Sequence, residues 1–450
     1  MALSGIEIYK FLPKTNCKKC GFPTCLAFAM KVAQKTVDII TCPDLSDESR
    51  QALESAGRPP IKLVSIGADG KKLEIGNEVV MFRHEKTFYH PPGIMRRIKD
   101  SSPAETVAQQ VAEVTEFKVD RVGIELSLNG FAIENDSGDG AAFAKCVEAV
   151  MAKTDLPLVL MSSKPEAMAA ALEKSAASRP LIYAATGDNW EPMAELASKH
   201  GCPLAVAEPK GLSELAALVE EVNKKGVEDI VLDPGARDLG SSLNTLTQLR
   251  RLAIKKNFQP LGYPIITFPG TNAASVDEEA VLASQQVAKY AGIIVLDNFS
   301  PALAYPLLTL RLNIYTDPQK PIQVQPGVYP IGAPKESSPL CVTTNFSLTY
   351  FSVAGELEGS GHAAWLLVCD TEGLSVLTAW AAGKFDAEKI AKNFKEFDVA
   401  SKINHQRVII PGRVAVLKGE IEEELAGWDV MVGPPDAMDI GGYLKNNWSN

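Results

Sequence analysis

The sequence predicts an α/β protein in three parts: a small cysteine-bearing module, a central closed (β/α)8 barrel of the TIM type, and a smaller C-terminal α/β domain. Three observations predict this. Four of the eight cysteines fall within the first 42 residues. From about residue 60 to 320 one pattern repeats: a short apolar β-branched run, a loop, then a helical stretch. The proline-rich stretch IYTDPQKPIQVQPGVYPIGAPKESSP then separates this repeat from a last segment with strands and helices of its own.

The totals bound the rest. At 450 residues the chain exceeds one ordinary domain, and its 46% apolar and 22% charged content is that of a globular protein. No apolar run is long enough to span a bilayer, and MALSGIEIYKFLPK lacks the apolar stretch of a secretory signal. A cytoplasmic protein with no membrane association is expected. The net charge of −10 offers no electrostatic footprint for a phosphate backbone, which excludes nucleic acid as a partner class.

Residues 1–58 hold Cys17, Cys20, Cys25 and Cys42 as C-x2-C-x4-C-x16-C, with Pro43 after the last. In a reducing compartment such crowding reads as metal or cluster ligation before disulfides. Soft thiolates suit the four irons of a [4Fe–4S] cluster, and the module has too few apolar residues to fold on a core alone. Zinc is the alternative, although its sites more often pair two C-x2-C knuckles. Cys146, Cys202 and Cys369 sit in helical or strand patterns and read as core.

The barrel is expected over 59–320, with strands in LEIGNEVVMF, RVGIELSL, LPLVLMSS, PLIYAAT, CPLAVAE, EDIVLDPG, YPIITFPG and AGIIVLDN. An open doubly wound sheet is the alternative. A linker follows over 321–336, a semi-rigid spacer within the Pro318–Pro339 stretch with Pro326-Gly327 as pivot. The domain over 337–450 opens with an extended polar-aromatic stretch, CVTTNFSLTYFSVAGE. Strands AAWLLVCD, RVIIPG and WDVMVGPP follow, alternating with helices. Ligands of such sheets sit beyond the carboxyl ends of the strands.

This order, with NCKKCGFPTCLAFA, TTNFSLTYF and CDTEGLSVLTAW, closely resembles the large (gamma) subunits of corrinoid iron-sulfur proteins of the acetyl-CoA pathway, over the whole chain. The resemblance implies an anaerobic methyl carrier. A cobamide on a Rossmann-like C-terminal domain would accept a methyl group from methyltetrahydrofolate through a methyltransferase and deliver it to acetyl-CoA synthase. It implies a heterodimer with a smaller barrel subunit, and a [4Fe–4S] cluster on Cys17, Cys20, Cys25 and Cys42 that returns Co(II) to Co(I). It assigns cobamide contacts to Thr343, Thr349, Gly373, Leu374, Ser375, Val376 and Ala437. From the residues alone, TEGLS reads as a strand-to-helix turn with a capping residue. None of His84, His90, His200, His362 or His405 lies in a D-x-H-x-x-G context, so the cobamide is expected base-off with no histidine below cobalt.

Two other readings compete. The barrel itself could bind methyltetrahydrofolate and catalyse transfer, with acidic and amide residues at its strand ends. Asp188, Asn189, Asp233, Asp297 and Asn298 lie there, and polar loop starts and helix caps explain them. Alternatively the chain is an iron-sulfur electron-transfer protein whose last domain docks a partner. The stretch MFRHEKTFYHPPG places His84, Glu85 and His90 past an early barrel strand, but their spacing matches no zinc pattern and structural histidines are expected.

Overall fold

The computed structural model describes residues 5–34, 36–46, 49, 59–68, 70–121, 123–317 and 322–448. The chain divides into two compact units: 1–118 with 127–315, and 119–126 with 316–450. Most of the stretch read as closing the N-terminal module, 47–58, lies outside the described residues, as do Pro318 and Pro321 of the proline-rich stretch.

In the first unit, α1 (Gly5–Phe11) and α2 (Cys25–Ala33) pack a small core of Ile8, Leu12, Phe28, Ala29 and Leu45 that includes Cys25 and Cys42. The eight-stranded sheet of this unit runs β1 (Gly93–Lys99), β2 (Gly130–Glu134), β3 (Leu158–Met161), β4 (Leu181–Ala185), β5 (Leu204–Ala207), β6 (Ile230–Asp233), β7 (Ile266–Thr267) and β8 (Ile293–Leu296). All pair in parallel in the order β6-β5-β4-β3-β2-β1-β8-β7. A bridge from Leu232 to Ile265 joins the two ends, so the sheet closes into a barrel. Strands β3, β5, β6 and β8 bury nearly every residue, as strands covered on both faces must. Three of the helices between them start on side-chain caps, Asp139, Asp238 and Ser275 each accepting a backbone N–H of the first turn.

Two strand expectations are corrected. LEIGNEVVMF contributes only Leu73–Ile75, which pairs antiparallel with Val64–Ile66 and plugs the barrel interior with Val64, Ile66, Leu73 and Ile75. RVGIELSL forms part of a hairpin, Val119–Arg121 with Ile124–Leu126, that belongs to the second unit. The first two barrel strands are instead GIMRRIK and GFAIE. Charge hid the first of them. Arg96 and Arg97 lie within β1 because Glu113 and Glu134 stand 2.6 and 3.3 Å from their guanidinium groups.

The second unit has a five-stranded sheet of β9 (Gly327–Ile331), β10 (Leu340–Thr344), β11 (Ala364–Cys369), β12 (Arg407–Ile410) and β13 (Asp429–Val432), in the order β9-β11-β10-β12-β13. β9 is antiparallel to β11 and the others are parallel. The stretch expected as a semi-rigid spacer thus supplies an edge strand from Gly327 onward, where Pro330 is tolerated. The stretch expected to be extended after Cys341 is strand only to Thr344, and Ser347–Gly359 is helix. Among the described residues no helix is long and apolar enough to cross a membrane.

Candidate functional site

From β10 the chain crosses to β11 on one side of the sheet and later returns to β12 on the other. The loops therefore part between β10 and β12, where open α/β sheets hold ligands. A cleft of about 440 Å³ opens there. Its floor is Cys341, Val342 and Thr343 of β10 with Ile409 and Ile410 of β12. Phe346, Leu348, Thr349 and Val353 line one wall, Ser375, Val376 and Leu377 a second, and Pro411, Arg413 and the 433–437 loop the rest.

Five of the seven expected contacts, Thr343, Thr349, Ser375, Val376 and Ala437, line this one cleft from segments up to 94 residues apart. Gly373 and Leu374 do not. Gly373 has φ +76° and its α-carbon faces Gln323, so its lack of a side chain serves packing behind the loop. Leu374 packs against the apolar core of the domain. The sequence reading missed Phe346, Leu348, Leu377 and Arg413. The first three lie within the stretches TTNFSLTYF and CDTEGLSVLTAW, which could have signalled them, while Arg413 had no signal beyond its place after a strand.

The polar inventory of the cleft is small. Thr343 is 1% exposed and its hydroxyl has no hydrogen-bond partner among the described residues. A buried hydroxyl in that state is costly unless a bound group completes it. Arg413 and Asp436 are the charged side chains among the described lining residues, and they pair with each other at the rim. Arg413 Nε also donates to Pro435 O at 2.9 Å, and Gly412 N to Pro434 O at 3.1 Å, fastening the two loops together. Gly412 is needed there because a Cβ would stand 2.4 Å from Gly433 O. No histidine lines the cleft among the described residues.

Cys17, Cys20 and Cys25 come from one curled segment, and Cys42 follows beyond α2. Lys14, Asn16, Lys18 and Gly21 all have positive φ, which winds the loop tightly around Cys17 and Cys20. Asn16 Oδ1 accepts the Cys25 N–H at 2.8 Å, fixing the loop to the start of α2, where Thr24 caps the helix. Burial pushes the Cys42 thiol up. A backbone hydrogen bond from Asp44 opposes this, and the proximity of Cys20, Cys17 and Cys25 pushes it further. Lys19 and Asp44 pair at 2.9 Å beside them. Cys17 and Cys20 on this loop, Cys25 at the helix start and Cys42 beyond α2 are four soft donors of the kind that suit a multi-iron cluster. Among the described residues no three His, Cys, Asp or Glu side chains are gathered closely enough to hold a metal ion, these cysteines included.

Two comparisons bear on the whole chain. Residues 63–444 match the family described as CO dehydrogenase/acetyl-CoA synthase delta subunit, and 12–43 match a model for an Fe-S cluster. The corrinoid/iron-sulfur protein large subunit of Moorella thermoacetica is 47% identical over 99% of both chains. The chain belongs to the corrinoid iron-sulfur large (gamma) subunit family of the acetyl-CoA pathway. Another family relative, the acetyl-CoA decarbonylase/synthase complex subunit gamma of Methanopyrus kandleri, is 38% identical over 98% of this chain and 97% of its own. Among solved structures, the dihydropteroate synthase of Vibrio fischeri ES114 overlaps 56% of the chain at 13% identity with a TM-score of 0.41, too distant to carry a ligand across.

For this family member, the strand ends of the barrel form a different kind of place. Asp233, 1% exposed, accepts from Tyr183 Oη at 2.6 Å, Arg237 Nη1 at 2.8 Å and Nη2 at 2.5 Å, and Gly235 N at 2.8 Å. Those donors fill the roughly four acceptor positions of a carboxylate. Asp297 pairs with Arg97 at 2.9 Å, and Asn298 donates to Glu279 at 2.8 Å. Asn189 Oδ1 accepts the Thr186 N–H at 2.7 Å, and Asp188 is exposed. Of the histidine stretch, His90 Nδ1 lies 2.9 Å from Gly76 O, His84 stacks on Phe82, and Glu85 accepts the N–H groups of Met81 and Phe82. It follows the plug hairpin, so the expectation of a place past a barrel strand is corrected.

Proposed function

We propose that this chain is the methyl-carrying subunit of a corrinoid methyl-transfer system. The cleft at the β10/β12 switch point holds a cobamide, in a Rossmann-like domain, base-off and without a histidine ligand. Cys17, Cys20, Cys25 and Cys42 hold a [4Fe–4S] cluster. When bound, the cobamide supplies a cobalt centre that takes up and gives up a methyl group, and the cluster supplies single electrons that restore that centre to its active state. The methyl donor is methyltetrahydrofolate acting through a methyltransferase, the acceptor is acetyl-CoA synthase, and a smaller subunit completes a heterodimer.

The observation that carries this reading is the buried Thr343 hydroxyl without a partner, in a cleft that gathers five expected contacts. Thr343 offers a hydrogen bond from the floor. Phe346, Leu348, Val376, Leu377 and Ile440 supply apolar walls that exclude water from whatever lies between them. Leu348, Leu377 and Met438 are 65%, 42% and 74% exposed, an apolar rim suited to being covered once the heterodimer forms. The filled acceptors of Asp233 take that carboxylate out of use for a pterin, which favours a carrier over a barrel methyltransferase. We infer the division 1–58, 59–320 and a C-terminal domain, with any tether confined to residues ahead of Gly327.

The test is metal analysis with an absorption spectrum of the full-length chain reconstituted with iron, sulfide and hydroxocobalamin. Iron and cobalt should both be retained, with sharp corrinoid bands on the broad cluster absorption. Cys20→Ala should lose iron and keep cobalt. Iron without cobalt would favour the electron-transfer reading, and saturable binding of methyltetrahydrofolate by this chain alone would favour the barrel enzyme.

A further inference from the structure

We propose that Asn345 is a positioning residue for the cobamide, holding the 371–376 loop in the shape that presents Ser375 and Val376 to the cleft. This rests on the reading that the cleft binds a cobamide. Asn345 follows β10, is 1% exposed and does not itself line the cleft. Its Oδ1 accepts the N–H of Thr371 at 3.0 Å and the N–H of Gly373 at 2.9 Å. The Thr371 hydroxyl stands 2.9 Å from the same oxygen and 3.0 Å from Leu374 O, and its one proton serves either. On the other side of the amide, Nδ2 donates to Asp370 Oδ1 at 3.3 Å and to Gln323 Oε1 at 3.4 Å. The Asn345 backbone continues the tie, donating to Cys369 O at 3.0 Å and accepting from Val324 N at 2.8 Å.

The loop needs that support. Glu372 and Gly373 are consecutive residues with φ of +57° and +76°, and the first is a conformation that a residue with a Cβ adopts only under constraint. Two inward N–H groups, from Thr371 and Gly373, would be buried without partners if the Asn345 carbonyl were absent. Gly373 is also held from behind, since a Cβ there would stand 2.7 Å from Gln323 Cγ. The constraint passes through Thr371 and Leu374 to the next three residues, Ser375, Val376 and Leu377, which are the ones that face the cleft. A side-chain oxygen at position 345 therefore sets the cleft wall from outside it.

The decisive experiment is titration of the full-length chain with hydroxocobalamin, following the corrinoid absorption bands, with a thermal melt of each variant. Asn345→Ala should weaken binding by roughly tenfold or more, the effect of losing a buried acceptor from two donors. Asn345→Asp paired with Asp370→Asn keeps an oxygen in the same place, exchanges amide and carboxylate so that no two carboxylates face each other, and should recover most of the binding. Gln323→Ala, which leaves the Asn345 carbonyl in place, should bind close to the wild type. Wild-type affinity in Asn345→Ala overturns the proposal. So does equal weakening in the alanine variant and the paired exchange, which would mean that the oxygen is not what matters. If the alanine variant does not fold, the paired exchange decides alone, and a loss beyond about tenfold rejects the acceptor role. A wild-type chain that fails to bind hydroxocobalamin sinks the cobamide reading itself, which a selective loss in the variants would not.

Discussion

The barrel and the C-terminal domain each end their parallel strands in polar loops, and they treat their polar groups in opposite ways. At the barrel strand ends, Asp233 receives four donors, Asp297 an arginine and Glu279 two amides. In the C-terminal cleft, Thr343 keeps a buried hydroxyl with no partner among the described residues, and the walls are largely apolar. Position at the end of a parallel sheet is common to both places. The polarity of the lining distinguishes them: carboxylates and arginines crowd the barrel strand ends, while the cleft sets one buried hydroxyl among largely apolar walls, the more usual lining for a bound organic group.

The largest expected effect lies in the barrel. Asp233→Asn keeps the shape but leaves Arg237, whose side chain is 21% exposed, without its counter-charge. Breaking a buried pair from one side typically costs about 3–5 kcal/mol, and partial access of Arg237 to water places this one near the lower figure. Denaturant unfolding should show the loss in the transition that reports the barrel, while the hydroxocobalamin affinity stays unchanged. If affinity fell in step with stability, the two regions would not be separable as the comparison holds.

Thr343→Val should do the reverse with a smaller magnitude. Replacing a buried, unpaired hydroxyl by a methyl group of similar shape relieves a desolvation penalty, so the second unit should gain roughly 1 kcal/mol. Binding of hydroxocobalamin should weaken by about tenfold, because the group that Thr343 would complete loses its partner. A variant that is both less stable and unchanged in affinity would place the cofactor elsewhere.

Much of this contrast was legible in the sequence. Six of the eight apolar runs expected as barrel strands are strands, because their β-branched residues meet burial on both faces. The first two were misplaced for identifiable reasons. GIMRRIK carries three cations whose acidic partners come from elsewhere in the chain, and the Leu73–Ile75 strand ends at Gly76, φ +94°. In the cleft, Thr343, Thr349, Ser375, Val376 and Ala437 were reached through resemblance. Arg413 and Phe346 were not singled out, since nothing local marks which residues face a cavity made by four chain segments. Gly373 shows the converse: its positive φ reads like room for a ligand and is explained by Gln323. Asn345 looked like any polar residue after a strand, and only the three chain segments it joins give it a role.

The smallest expected effect concerns pH, and it too separates the regions. Glu279 is fully buried in the barrel unit. Burial pushes its carboxyl above the usual value of 4.5. Hydrogen bonds from Asn298 and the Asp297 N–H oppose the shift, while the Asp297 charge adds to it. With the folded value above the unfolded one, the native state binds more protons than the unfolded chain between the two, so stability falls as pH rises through that window. It is level below pH 4.5 and again above the raised value. Glu279→Gln carries no proton to lose and its Oε1 can still accept the Asp297 N–H, so the variant should lack this part of the slope. Melts of both proteins from pH 4 to pH 7 would show it, with the wild-type midpoint declining more steeply in the barrel transition. Parallel curves would mean that Glu279 titrates alike in the folded and unfolded states, and the barrel strand ends would then be as indifferent to pH as the largely neutral walls of the cleft.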